Sequence, residues 1–134
     1  MSIYDIYETN LELEKEGTWV EITKEIKVKV AAIGNKNHLE AIEKFSKPYK
    51  GQLRTKSIDP DIEEDIYVKA LAKAILVDWQ GITDEEGNII AYNFDNAYAL
   101  LSKPSMKRFK ADILFMARET ETFKKDTKEQ AEKN

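Results

Sequence analysis

The side chains with the means to do chemistry gather between Asp78 and Glu86, where Asp84-Glu85-Glu86-Gly87 forms an acidic turn a few residues after Asp78. Two carboxylates can share acid–base work when their surroundings keep one protonated and the other ionised at one pH. Here the turn reads as exposed, with no histidine near it in sequence and no apolar pocket implied, so nothing separates the pKa values of Asp78, Asp84, Glu85 and Glu86. The same run invites a calcium loop. Such a loop alternates its ligands and needs a glycine at the sixth place and a glutamate at the twelfth, and counting from Asp78 or from Asp84 fails both tests. A glycine-containing turn accounts for the composition.

His38 is the only histidine and there is no cysteine. Disulfides and thiolate metal sites are therefore excluded, and a histidine pair is too. His38 falls at a helix start, where a surface or half-packed ring is the expectation. The sequence thus predicts no catalytic residue, no metal and no cofactor, and a chain that is not an enzyme. With 21 Lys plus Arg against 25 Asp plus Glu, the net charge of -4 lacks the basic excess of a phosphate-backbone binder, so nucleic acid is not expected as a partner. No window approaches a membrane-spanning apolar run, and the first ten residues, MSIYDIYETN, have neither a basic start nor an apolar signal core. A soluble, cytoplasmic chain is the expectation. At 134 residues it suits one domain that buries roughly two thirds of its unfolded surface.

The elements that position these residues centre on 67–101. Asp59 can cap a helix with Pro60 at its first position, where a missing N–H does no harm. Ile62, Ile66, Ala70, Leu71, Ala74, Ile75 and Trp79 make a stripe that predicts a helix over 59–79, with Gly81 as its C-terminal cap. After the acidic turn and Gly87, a short apolar run leads to Asn93, which predicts an N-cap for a helix over 94–101. From Pro104, Met106, Phe109, Ile113, Met116, Ala117, Thr120 and Phe123 recur at three- and four-residue steps, predicting a last helix to 123.

Upstream, residues 18–22 and 27–33 are rich in β-branched and aromatic residues, and they predict two strands of a hairpin joined over 23–26. Trp19, Val20, Ile22, Val28, Val30 and Ala32 are the expected covered face. Asn37 is the expected N-cap of a helix carrying Leu39, Ala41, Ile42 and Phe45, stopped by Pro48. Lys44, Lys47, Lys50, Arg54 and Lys56 mark a basic loop. Residues 1–16 fit neither period, although Leu11-Glu12-Leu13-Glu14 alternates like an extended piece; they read as an arm laid over the core or onto a partner. The fold expected is α+β, a mostly helical single domain over 1–123 with an N-terminal two-stranded β-hairpin packed on the 59–79 and 104–123 helices. Residues 124–134 hold little apolar and predict a frayed or disordered tail. Trp79, Gly81, Gly87 and Pro60 are the expected structural anchors.

The block running from Ala74-Ile75-Leu76-Val77-Asp78-Trp79 through Gly81-Ile82 and the acidic turn to Gly87, then into the 93–101 helix, resembles the tail assembly chaperones of long-tailed (siphovirus-type) bacteriophages. Gly17-Thr18-Trp19-Val20-Glu21-Ile22, Lys47-Pro48, Phe123 and Glu132-Lys133-Asn134 are similar too, so the resemblance spreads over 17–134. It implies a non-enzymatic protein of the host cell cytoplasm that binds the tape-measure protein during tail assembly, with the tail tube protein and a homo-oligomer as further expected partners. A minor structural or head–tail joining protein is the alternative within phage biology. The partner-binding residues expected are Met106, Phe109, Ile113 and Met116 on the last helix, with Trp19 and Val28 on the hairpin.

Overall fold

A computed structural model of the chain describes residues 1–124; the expected disordered tail, apart from Lys124, lies outside the described residues. The order is α1 (Ile3–Tyr7), α2 (Leu11–Glu16), β1 (Thr18–Glu21), β2 (Lys27–Val30), α3 (Lys36–Ser46), α4 (Lys50–Arg54), α5 (Pro60–Ala74), β3 (Leu76–Gln80), α6 (Phe94–Ser102) and α7 (Lys107–Arg118), with 3₁₀ turns at Lys47–Tyr49, Pro104–Met106 and Thr120–Phe123. This is the mostly helical α+β domain that the sequence predicts. Its sheet, however, has three antiparallel strands in the order β1-β2-β3, not two.

The extra strand comes out of the helix predicted over 59–79. Helix α5 starts as expected, with the Asp59 side chain accepting from the Asp61 amide and Pro60 at its first position, but it ends at Ala74. Ile75 closes it by donating to the Leu71 carbonyl at 3.0 Å, and Leu76–Gln80 then pairs with the open side of β2. The run Ile75-Leu76-Val77 is short and wholly apolar, so an apolar stripe that continues a helix and an apolar strand look alike in sequence. Pairing places Val28 opposite Trp79 and Val30 opposite Leu76, with a register shift between Lys29 and Val30. That bulge lets Leu76 and Trp79, three residues apart, both face the core, which an unbroken strand of period two would forbid.

One face of the sheet is covered by α5, α6 and α7. Val28, Val30, Leu71, Ile75, Leu76, Trp79, Leu101, Ile113 and Ala117 form the main core. Ala41, Ala70 and Ala74 let α3 lie close along α5, with Ile42 and Phe45 at the rim. Leu13, Ala32 and Phe123 form a third, smaller cluster that ties the N-terminal segment to the end of the described chain.

Five local expectations are corrected. Residues 11–14 are helical in α2, whose cap is Asn10, accepting from the Leu13 amide. The N-cap of α3 is Asn35, two residues before Asn37. Trp19 and Ile22 are exposed while Val20 alone of that trio turns toward the core, because Trp19 and Val20 are neighbours on a strand and point to opposite faces. The basic stretch is mostly no loop, since Lys44, Lys47, Lys50 and Arg54 fall in the end of α3, a 3₁₀ turn and α4, and only Lys56 lies in the turn that follows. Gly81 ends a strand where the chain crosses the β1–β2 turn: a Cβ built on it would lie 1.9 Å from the Glu25 carbonyl oxygen.

Candidate functional site

The acidic turn is built to hold itself together. Asp84 Oδ1 accepts from the amides of Glu86 and Asn88, each at 2.9 Å, and the Asp84 amide donates to the Asn88 carbonyl. Those backbone bonds, the one from Asn88 first, hold the Asp84 carboxyl below its usual range. A carboxyl held ionised in this way is a turn-former and the opposite of a proton donor. Asp78 accepts from its own neighbour, the Trp79 amide, at 2.8 Å and stands opposite Lys29 in the sheet. The cleft beside the turn, ≈ 430 Å³, is lined by Thr83, Asp84, Glu85, Glu86, Ile90, Leu100, Lys103 and Met106, so neither Asp78 nor His38 joins it. Among the described residues no three His, Cys, Asp or Glu side chains are arranged to hold a metal ion.

A second cleft has a different make-up. Between α3, α5 and α7 runs a groove of ≈ 300 Å³ lined by Ile33, His38, Ile42, Tyr67, Val68, Leu71 and Leu114, with Glu64, Lys110 and Arg118 as its charged members. Its parts are set by local chemistry. Asn35 is buried and satisfied at every polar atom: its oxygen accepts from the His38 amide, and its amide nitrogen donates to the carbonyls of Ala32 and Ala74. This fixes the start of α3 against the end of α5. His38 then turns back so that Nδ1 accepts from the Gly34 amide at 3.0 Å. The ring proton therefore sits on Nε2, and burial lowers the ring's pKa. On the opposite wall Lys110 Nζ bridges to Glu64 Oε1 at 2.7 Å, joining α7 to α5. Arg118 has no ion pair among the described residues.

A third polar cluster is a staple. Tyr98 donates to Asp65 across α6 and α5, and Lys69 pairs with the same carboxylate at 3.2 Å while lying over the Tyr98 ring. The shared hydrogen bond to Asp65 is what raises both the Tyr98 hydroxyl and the Lys69 ammonium above their usual pKa values. Each partner holds its own proton more firmly, which suits a fixed contact and opposes proton transfer.

The six residues expected to bind a partner do not form one surface. Val28 and Ile113 are wholly buried in the core, out of reach of anything docking on the folded domain. Phe109 and Met116 are half-buried against that core, and Met106 lines the cleft by the acidic turn. Trp19 is 43 % exposed on the open face of the sheet, with Lys29 Nζ 5.9 Å from its ring centre. Of the anchors, Trp79 is 5 % exposed and donates its indole N–H to the Ile90 carbonyl at 2.8 Å, Pro60 opens α5, and Gly81 and Gly87 both have positive φ.

The N-terminal arm, expected to lie over the core or onto a partner, carries much of the exposed apolar surface instead. Ile3 and Tyr7 of α1 are 65 % and 73 % exposed, Tyr4 is equally open, and no residue of α1 is buried. Phe115 on α7 and Leu39 on α3 are exposed as well. The hint in the sequence was there, since residues 3–7 hold four large apolar side chains with no polar face to set against them. No helix among the described residues is long and apolar enough to cross a membrane.

No curated protein and no solved structure matches the chain. The family model described as YdaY prophage protein matches residues 33–134, and the chain belongs to that family.

Proposed function

We propose that this prophage protein of the YdaY family is a non-enzymatic tail assembly chaperone, which binds a segment of the tape-measure protein in the host cell cytoplasm. The observation that carries the reading is the groove between α3, α5 and α7, which is lined mostly by apolar and aromatic side chains with Glu64, Lys110 and Arg118 among them. An amphipathic helix or short extended segment docks in such a groove by inserting one or two large apolar side chains. The order of motifs that resembles tail assembly chaperones, together with the prophage family, supports the choice of partner. The internal pairing of Asp84, Asp65 and Tyr98 supports a binding protein over an enzyme, because each group is spent on the fold.

Co-expression with the tape-measure protein of the same prophage, followed by pull-down, tests this. A complex is expected, with a gain in the tape measure's solubility. It should persist at about 0.5 M salt, where exposed charge pairs are screened. Tyr67→Glu, at an exposed position on the groove wall, should weaken it. No complex and no gain in solubility would sink the chaperone reading.

A further inference from the structure

Among the described residues two apolar surfaces of matching character stand open. One is α1, a short helix held by a capping box between Ser2 and Asp5, on which Ile3, Ile6 and Tyr7 share one side by their three- and four-residue spacing. The other is the groove between α3, α5 and α7. We propose that the α1 arm of a second copy of this chain occupies that groove, and that two copies exchange arms reciprocally.

Three observations lead there. First, α1 buries no residue in its own chain and none of its side chains lines its own groove. Second, the arm's root and the groove adjoin. The Asn10 amide donates to the Phe123 carbonyl at 2.7 Å, Thr9 bridges to Lys124, and Leu13 packs on Ala32, the residue before Ile33. Ile33 in turn lines the groove and donates to the Ala117 carbonyl at 3.0 Å, beside Arg118. When donor and acceptor surfaces lie side by side, a two-fold axis closes the exchange into a dimer and leaves no open-ended chain of copies. Third, the charges match. Residues 1–16 carry Asp5, Glu8, Glu12, Glu14 and Glu16 against Lys15, while the groove, whose Lys110 is paired with its own Glu64, keeps the positive charge of Arg118. One arm of five helical residues buries less than the roughly 1,200 Å² of a standard interface, so reciprocity, which doubles the contact, is what makes the dimer stable.

The groove is the one proposed above for a tape-measure segment, but the test uses this chain alone, so either inference can fail without the other. Sedimentation of the full chain across micromolar to millimolar concentrations should show a monomer–dimer equilibrium. Deleting residues 1–8, or substituting Arg118→Glu, should raise the dimer dissociation constant by about tenfold or more, with the circular dichroism spectrum keeping the helical signal of the folded domain. Because the chain has no cysteine, a Tyr7→Cys chain mixed with a Tyr67→Cys chain should form a disulfide between the two different copies on mild oxidation. A monomer at every concentration overturns the proposal. So does a dimer indifferent to removal of the arm. A doubly substituted chain that closes the same disulfide within itself while remaining monomeric would place the arm in its own groove, and would also refute it.

Discussion

Replacing Trp79 is the sharpest test of how this domain is held together. The side chain sits opposite Val28 on the inner face of β3, meets Tyr92 edge-on with ring centres 5.1 Å apart, and donates to the Ile90 carbonyl at 2.8 Å. It therefore joins the sheet to the segment that leads into α6. Removing a buried Trp to Ala costs about 3–5 kcal/mol, which already includes the ring contact and the lost hydrogen bond. At about 4 °C per kcal/mol for a domain of this size, Trp79→Ala should lower the thermal midpoint by roughly 10–20 °C. Trp79→Phe keeps most of the apolar contact and loses the indole donor, so about 1–2 kcal/mol is expected. Circular dichroism melting and urea titration would read both. Trp19→Ala is the control: at 43 % exposure and stacked only on Lys29, it should cost under about 1 kcal/mol. If Trp79→Ala melts within about a degree of wild type, the organising role given to β3 is wrong.

Gly81→Ala should destabilise by at least about 3 kcal/mol, because positive φ and a Cβ 1.9 Å from the Glu25 carbonyl act together, whereas Gly87→Ala, with the same sign of φ and open space around it, should cost only about 1 kcal/mol. Asn35→Ala should cost about 2 kcal/mol, since it removes the α3 cap and the donor to two carbonyls, while Asn37→Ala should be close to neutral. His38 has a folded pKa below its unfolded value of 6.5, so the unfolded chain takes up the proton first. Stability is then full above pH 6.5 and is lost as pH falls through the folded pKa, and that slope should disappear in His38→Ala when urea midpoints are compared across the window.

Much of the helical part of the fold was legible because its signals are local. Asp59-Pro60 and Asn93 name helix starts by chemistry that acts within three residues, and both hold in the structure. The middle of the last helix was legible from its stripe, as Ile113 and Ala117 are buried and Phe109 and Met116 pack around them, but α7 stops at Arg118 and the expected ends at 104–106 and 120–123 are 3₁₀ turns. The third strand was not. Whether Leu76–Gln80 continues a helix or joins a sheet is decided by the open side of β2, some fifty residues earlier, and by a bulge that no local pattern announces. Asn35 and Asn37 are equal as caps in isolation. Asn35 wins because its side chain also satisfies the carbonyl of Ala74, thirty-nine residues away.

The candidate site was harder still, for a related reason. An apolar stripe at helical spacing serves the core of its own domain first, and the more regular it is, the less of it remains for a partner. Val28 and Ile113, regular members of their elements, are accordingly wholly buried. A docking surface is made instead of apolar residues that their own element cannot bury. Ile33 follows a strand that has already ended, Tyr67 is exposed and Leu114 half-buried beside the buried stripes of their helices, and α1 buries no residue. In sequence these residues look like irregularities, and only folding brings Ile33, Tyr67 and Leu114 around one groove. Substituting the irregular positions should therefore change association while leaving melting nearly untouched, and substituting the regular ones should do the reverse.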